Sequence, residues 1–199
     1  MSEKTLIIVK HDGVARGLIG EVIARFERVG LKIVAMELIQ STQDMGDSHY
    51  PVTEKWFTKV GERTLKEYTE RGLDSNLLLG TSDAIEIGKL IKKWLVEYLN
   101  FGPVMAMVFE GPNAVMVGRK LAGDTIPAIA VPGTIRGDFG TDSVEFANEQ
   151  KRPLYNIMHA SGEVAEAKEE IALWFGNQEL FDYDVLSAHF SGVKGRLAK

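Results

Sequence analysis

Two rhythms of apolar residues run along the chain. Thr5-Leu6-Ile7-Ile8-Val9 is an unbroken, β-branched run, the pattern of a strand covered on both faces. At Lys10-His11-Asp12-Gly13 the Asp-Gly pair predicts a turn, because glycine takes positive φ freely. Leu18, Ile19, Val22, Ile23 and Phe26 then recur at helical spacing, opposite Glu21, Arg25 and Arg28, and Gly30 supplies a cap. Residues 31–39 predict a second strand. Residues 41–50 read as a polar connection closing on His49-Tyr50. Pro51 and Thr53 open a helix that includes Trp56 and Phe57, residues 61–71 form a second, charge-rich helical piece, and 72–81 read as loop.

Asp83 with Glu86 three residues on is a capping box. It opens a longer helix with the stripe Ile87, Leu90, Ile91, Trp94, Leu95 and Tyr98, broken at Gly102-Pro103. Val104-Met105-Ala106-Met107-Val108-Phe109 is the third strand, and 113–121 a short helix. Residues 123–140 show punctuation (Pro127, Pro132, Gly133, Gly137) but little period; long ordered loops of this kind are uncommon and often functional. Residues 143–153 are polar with helical tendency, 154–158 predict a fourth strand, and Val164, Ala167, Ile171, Trp174 and Phe175 mark a last helix. This alternation of strand and helix predicts an α+β protein: one four-stranded sheet with helices packed on it.

The chain has 199 residues, enough for one well-buried domain. A net charge of −5 argues against coating nucleic acid by bulk charge. Without cysteine there is no disulfide, thiol catalysis or thiolate metal site. No apolar segment approaches the roughly 20 residues that cross a bilayer, so the expectation is a cytoplasmic protein with no membrane partner.

No Gly-rich phosphate loop, nucleophile elbow or H-E-x-x-H occurs, so a nucleotide enzyme here must hold phosphates by other means. Of the four histidines, His11, His49 and His189 read as surface or hydrogen-bonded groups. His159 stands at a strand end before a helix, flanked by Asn156 and Ser161 and followed by Glu163, Glu166 and Glu170. A neutral imidazole is a competent nucleophile once its second nitrogen is held, and a carboxylate suits that task; a satisfied buried histidine is the competing reading. Lys10, Arg119 and Arg136, with Thr125, lie at strand ends or in the long loop, and phosphoryl transfer depends mainly on positioning and charge neutralisation.

The motifs Ile8-Val9-Lys10-x-Asp12-Gly13-Val14, His49-Tyr50, Gly118-Arg119-Lys120, Pro132-Gly133-Thr134-Ile135-Arg136-Gly137-Asp138 and Asn156-x-x-His159-x-Ser161 occur in this order. Together they resemble those of the nucleoside diphosphate kinases, over about two-thirds of the chain. The resemblance implies a ferredoxin-like βαββαβ sheet and a two-step exchange. A nucleoside triphosphate such as ATP or GTP phosphorylates His159, and a diphosphate such as ADP or GDP takes the group. It also implies that Glu170 orients the His159 ring and Ser161 supports Glu170. Lys10, Arg119, Thr125 and Arg136 would hold the phosphates, with Mg²⁺ bridging the phosphates rather than held by protein ligands. Asn156 would contact the ribose, and Tyr50 would line the pocket near Lys10. The base is expected to stack on Phe57, with Trp56 as rival and Leu95 packing nearby. Family members assemble as hexamers, tetramers or dimers, so a homo-oligomer is expected.

The chain departs from that pattern at His11, where proline is usual, and at Tyr155, where a basic residue is common. Ala160 and Gly162 replace a glycine and an aspartate. Inserts at about 51–93 and 143–153 exceed the short form within one kinase-like domain. These departures motivate an alternative reading, a catalytically weak nucleotide-binding oligomeric scaffold.

Overall fold

The structure is a computed structural model and describes residues 2–150, 152–176 and 178–185. In order the elements are β1 (Ser2–Val9), α1 (His11–Ala15), α2 (Ile19–Arg28), β2 (Lys32–Ile39), α3 (Gln43–His49), α4 (Glu54–Glu70), α5 (Ser75–Leu79), α6 (Ala84–Asn100), β3 (Val104–Pro112), α7 (Ala114–Ala122), α8 (Ile135–Phe139), α9 (Val144–Glu149), β4 (Met158–Ala160) and α10 (Val164–Phe175). His189, and the basic residues Lys194, Arg196 and Lys199, lie outside the described residues.

The strands form one sheet in the order β2-β3-β1-β4, each neighbour antiparallel. This is the ferredoxin-like arrangement of two split βαβ units. β1 is central, which explains its unalternating sequence. Ile7 and Val9 face the side covered by Val22 and Phe26 of α2 and by α7. Leu6 and Ile8 face the side covered by Leu99 of α6 and by Trp174 and Phe175 of α10. All four of these β1 side chains are fully buried.

α4 and α6 cross closely. A Cβ on Gly61 would lie 1.8 Å from the Ala84 carbonyl oxygen, and one on Gly88 would lie 2.2 Å from that of Phe57. The helix expected to break at Gly61 therefore runs straight through, from Thr53, which accepts the Trp56 amide, to Glu70. Gly61 is a contact point and not a terminator.

Several other expectations are corrected. The turn at residues 10–13 is the start of α1, with Lys10 at its N-cap. The connection at 41–50 contains α3, capped by Thr42, and the loop at 72–81 contains α5, capped by Asp74 and closed by Gly80 at φ 78°. These short helices are set by side-chain caps and carry little apolar period. The loop at 123–140 contains a 3₁₀ turn at Pro127–Ile129 and then α8. The fourth strand is displaced: residues 154–157 lie outside the sheet, and β4 is Met158–Ala160. The reason is local. The amides of Tyr155, Asn156 and Ile157 donate to Asp142, to the Tyr98 hydroxyl and to Asp12, so side chains take the bonds a strand would need.

Candidate active site

His159 pairs with Ile8 across β4 and β1, so it faces the α10 side of the sheet. Its ring is buried down to 17 % side-chain exposure. Nε2 lies 2.8 Å from Glu170 Oε1, on a bent approach outside hydrogen-bond geometry. The other Glu170 oxygen accepts from Ser161 Oγ at 2.6 Å, and that hydroxyl also accepts the Leu6 amide of β1. Strand, serine and carboxylate thus form one chain of contacts ending at the imidazole. Burial raises the Glu170 pKa. Burial, with the nearby charge of Lys10, lowers that of His159 to about 3. The ring is therefore neutral at physiological pH. A carboxylate beside Nε2 favours the proton there, which leaves the lone pair on Nδ1.

Lys10 directly follows β1 and is almost fully buried. Its ammonium donates to Asn156 Oδ1 at 3.0 Å and sits 4.4 Å above the Tyr98 ring. Burial, and then the like charge of Arg136, lowers its pKa to about 7, against an opposing pull from Asp12. Arg136 is threaded through the site. It donates from Nε to the Asn156 carbonyl, from Nη1 to those of Gly123 and Asp124, and from Nη2 to that of Met158. Four of its five N–H groups are spent on the backbone, so it ties the long loop to the His159 strand. Burial, and then the charge of Arg119, lowers its pKa to about 10. Arg119 itself is exposed, and its charge acts on both Arg136 and His159. Asn156 Nδ2 reaches the Thr125 carbonyl at 3.2 Å. Tyr50 lies against the same cluster, its pKa raised by burial and by Glu170.

The segment that carries Asn156 is strained. Ile157 has φ 70°, a left-handed conformation that costs a β-branched residue of order 1–3 kcal/mol. It is held from both sides: its amide donates to Asp12, and its carbonyl accepts the Lys10 amide at 2.7 Å. Tyr98 completes the clamp, its hydroxyl donating to Asp12 at 2.7 Å and accepting the Asn156 amide at 2.8 Å.

Three contributors were not singled out from sequence. Asp12 was read as a turn residue, Tyr98 as one position of an apolar stripe and His49 as a bland histidine. The His49 ring stands edge-on to that of His159, centroids 4.5 Å apart, and its Nδ1 accepts from Trp174 Nε1. Only the packing of α3 against α10 reveals this.

A pocket of about 260 Å³ opens beside the cluster. It runs from Thr125 and Asn156 to Val60 and Thr64 on α4 and to Trp94 and Leu95 on α6. Leu95 is among the residues that line it. Phe57 lines a separate groove with Asp47, Lys92 and Val96, and Trp56 lines neither. The resemblance that put Phe57 and Trp56 forward does not say which flank of α4 meets the pocket.

Among the described residues the His/Asp/Glu group spaced for a metal ion is His49, His159 and Glu170. It is a poor cage for Mg²⁺, which prefers oxygen ligands. The positive charges of Lys10, Arg136 and Arg119 also act on His159 there.

A buried neutral imidazole with one nitrogen against a carboxylate, facing three cations from distant parts of the chain, suits transfer of a phosphoryl group through the ring. The family model for nucleoside diphosphate kinase matches residues 3–74 and 78–180. The chain belongs to the nucleoside diphosphate kinase family. A Pyrobaculum aerophilum nucleoside diphosphate kinase is 46 % identical over 180 residues, which are 90 % of this chain and 98 % of that one. The crystal structure of an NDP kinase from that organism superposes with a TM-score of 0.86 at 44 % identity, over 90 % of this chain and 99 % of that one. The Borrelia burgdorferi enzyme, solved as a transition-state mimic with vanadate and ADP, superposes with a TM-score of 0.76 at 35 % identity, over 97 % and 98 %. The chain is a phosphotransferase of the nucleoside diphosphate kinase type, which moves the γ-phosphate of a triphosphate to a diphosphate by a ping-pong route through phosphohistidine. No helix among the described residues is long and apolar enough to cross a membrane.

Proposed function

We propose that the residues gathered around His159 carry out that transfer in named roles. The Nδ1 lone pair attacks the γ-phosphorus of a bound nucleoside triphosphate. The Nδ1–P bond forms as the bond from γ-phosphorus to the bridging oxygen breaks, and the diphosphate leaves with the electron pair. Positive charge then develops on the ring, and Glu170, 2.8 Å from Nε2, offsets it while Ser161 holds the carboxylate. A second diphosphate runs the step in reverse. The observation that carries this reading is the contact chain from Leu6 through Ser161 and Glu170 to His159.

Lys10, Arg119 and Thr125 serve the phosphates, together with the N–H of Arg136 that the backbone leaves free; Asn156 serves the ribose. Tyr50 walls the site on the Lys10 side. The base enters the pocket along Leu95, and Trp94 replaces Phe57 as the aromatic offered to it, which suits ATP, GTP, ADP and GDP alike in outline. Mg²⁺, when bound with the nucleotide, would supply neutralisation of phosphate charge, with no protein ligand assigned to it. One kinase-like domain with inserts at about 51–93 and 143–153, self-associating in the cytoplasm as a homo-oligomer, completes the proposal.

The test is incubation with γ-labelled ATP and Mg²⁺. The expected label survives alkali, is lost in acid, is absent from His159→Ala and chases onto added GDP. An unlabelled wild type sinks the assignment.

A further inference from the structure

β4 is only 3 residues long, so the turn that leaves it decides how firmly His159 is held. Ala160, Ser161 and Gly162 form that exit, and α10 grips it in two places. Glu170 Oε2 accepts from the Ser161 hydroxyl at 2.6 Å. One turn earlier on the same face of the helix, Glu166 Oε2 accepts the Gly162 amide, also at 2.6 Å. Two carboxylates in successive turns thus hold two consecutive residues of the strand exit. The sheet anchors the same exit, because the Ser161 amide donates to the Leu6 carbonyl of β1.

The outer grip is a shifted capping box. Glu163 is the N-cap of α10 and makes no side-chain cap bond. In the usual box the glutamate at the third helical position returns to the N-cap amide. Glu166 holds that place in α10 but reaches one residue further back, to Gly162. It has room to do so because position 162 carries no side chain: a Cβ there would lie 2.6 Å from Glu166 Oε2. Gly162 is also a departure from the family pattern, in which an aspartate is common. The missing side chain at 162 and the folded-back glutamate at 166 are therefore one feature. Glu166 is within electrostatic reach of the nucleophile as well: burial and Lys10 lower the His159 pKa, and Glu166 opposes them.

We infer that Glu166 is a positioning residue for phosphoryl transfer: by pinning the Gly162 amide it sets the exit of β4 against α10, and so keeps the His159 ring in register with Glu170. It touches no substrate. The inference rests on the roles given to His159 and Glu170 above.

The experiment measures the single-turnover rate of His159 phosphorylation by γ-labelled ATP with Mg²⁺, and the ATP concentration at half-maximal rate, in wild type and three variants. Glu166→Ala removes the bond and is expected to slow the rate at saturating ATP about fivefold, with the half-saturating concentration within about twofold. Glu166→Gln keeps an acceptor oxygen without the charge and is expected to stay within about twofold of wild type. Gly162→Ala leaves Glu166 in the chain but takes its space. The backbone at 162 is not left-handed, so alanine fits there, and the flexible carboxylate end yields. This variant is expected to match Glu166→Ala, and the double variant to be no slower than either single one, since both remove the same bond. Circular dichroism at the assay temperature checks that each variant is folded. A wild-type rate in Glu166→Ala overturns the inference. So does a Glu166→Gln as slow as Glu166→Ala, which assigns the effect to charge, and so does a loss that appears only in the half-saturating concentration. Fully additive losses in the double variant count against it equally. Wild type that takes no label at His159 sinks the parent reading, whereas labelled wild type beside an unaffected Glu166→Ala sinks this inference alone.

Discussion

Binding a nucleotide takes up a proton, and Lys10 is the group that takes it. In the free protein burial and Arg136 hold its pKa at about 7. At pH 8.5 roughly 3 % of the side chain is then charged. A bound di- or triphosphate places negative charge beside the ammonium and restores a pKa near or above the ordinary value of 10.5. The bound lysine is charged at the same pH, so about one proton per site is absorbed. The sign follows from the depressed value: the free form has lost its proton over the window from about 7 to 10.5, and binding must return it. Affinity accordingly falls by about tenfold per pH unit as pH rises through that window. At pH 6 roughly 90 % of free Lys10 is already charged, and uptake from this group drops to about 0.1 proton. His159, with its pKa at about 3, contributes nothing at either pH. The assay is calorimetric titration with ADP and Mg²⁺ at pH 8.5 in buffers of different ionisation enthalpy; the slope of observed heat against buffer enthalpy counts protons. Lys10→Met is expected to flatten the slope. A wild type with no proton linkage at pH 8.5 refutes the account of Lys10.

Ser161→Ala removes the acceptor of the buried Leu6 amide and the donor to Glu170, a loss of about 1–3 kcal/mol by denaturant titration, with a fall in kcat larger than any change in KM. His49→Leu strands the Trp174 indole N–H and is expected to cost a similar 1–3 kcal/mol and to change Trp174 fluorescence; an unaltered emission spectrum would contradict the bond. Trp94→Ala should raise nucleotide KM about tenfold while Phe57→Ala leaves it within twofold, and the reverse result returns the stacking role to Phe57. Gly61→Ala places a Cβ against the Ala84 carbonyl and is expected to destabilise the protein by about 1–3 kcal/mol, read as a lower thermal midpoint.

β1, α2 and α10 were legible because there the apolar period and the buried face coincide. The basic motif residues and His159 were legible because their spacing is tied to recognisable neighbours. What was not legible depends on contacts between distant segments. The amides of residues 155–157 look free to join a sheet until Asp12, Tyr98 and Asp142 are seen to occupy them. His49 has no local signal, because its neighbour Trp174 lies 125 residues away. Arg136 was expected to hold phosphate, and its motif gives no sign that most of its guanidinium N–H groups are bonded to backbone carbonyl groups.

The departures from the family pattern at His11 and Tyr155 are explained together. Histidine in place of proline restores a backbone amide. In the structure His11 is the first residue of α1, directly after the N-cap Lys10. Proline is tolerated at that position because its N–H has no partner within the helix, so the exchange changes backbone bonding little. What it adds is a ring. His11 Nδ1 lies 2.8 Å from the Tyr98 carbonyl oxygen, and its ring meets both Tyr98 and Tyr155 edge-on, centroids 4.9 and 5.3 Å away. Tyr155 stacks in turn on Tyr98 at 5.1 Å, and the Arg152 guanidinium lies over the Tyr155 ring, 4.3 Å from its centroid. Lys10, Tyr98, Tyr155 and Arg152 therefore make a continuous column, with His11 against its flank. A basic residue at 155 would have put a second cation where Arg152 already supplies one. The tyrosine instead fills the gap between Tyr98 and Arg152 with a flat apolar face. Tyr98 is the member bonded to the segment before His159: its hydroxyl fixes Asp12 and the Asn156 amide, and through them the strained Ile157 that precedes β4. The two departures buttress one side chain, and that side chain sets the geometry on which the phosphoryl acceptor depends.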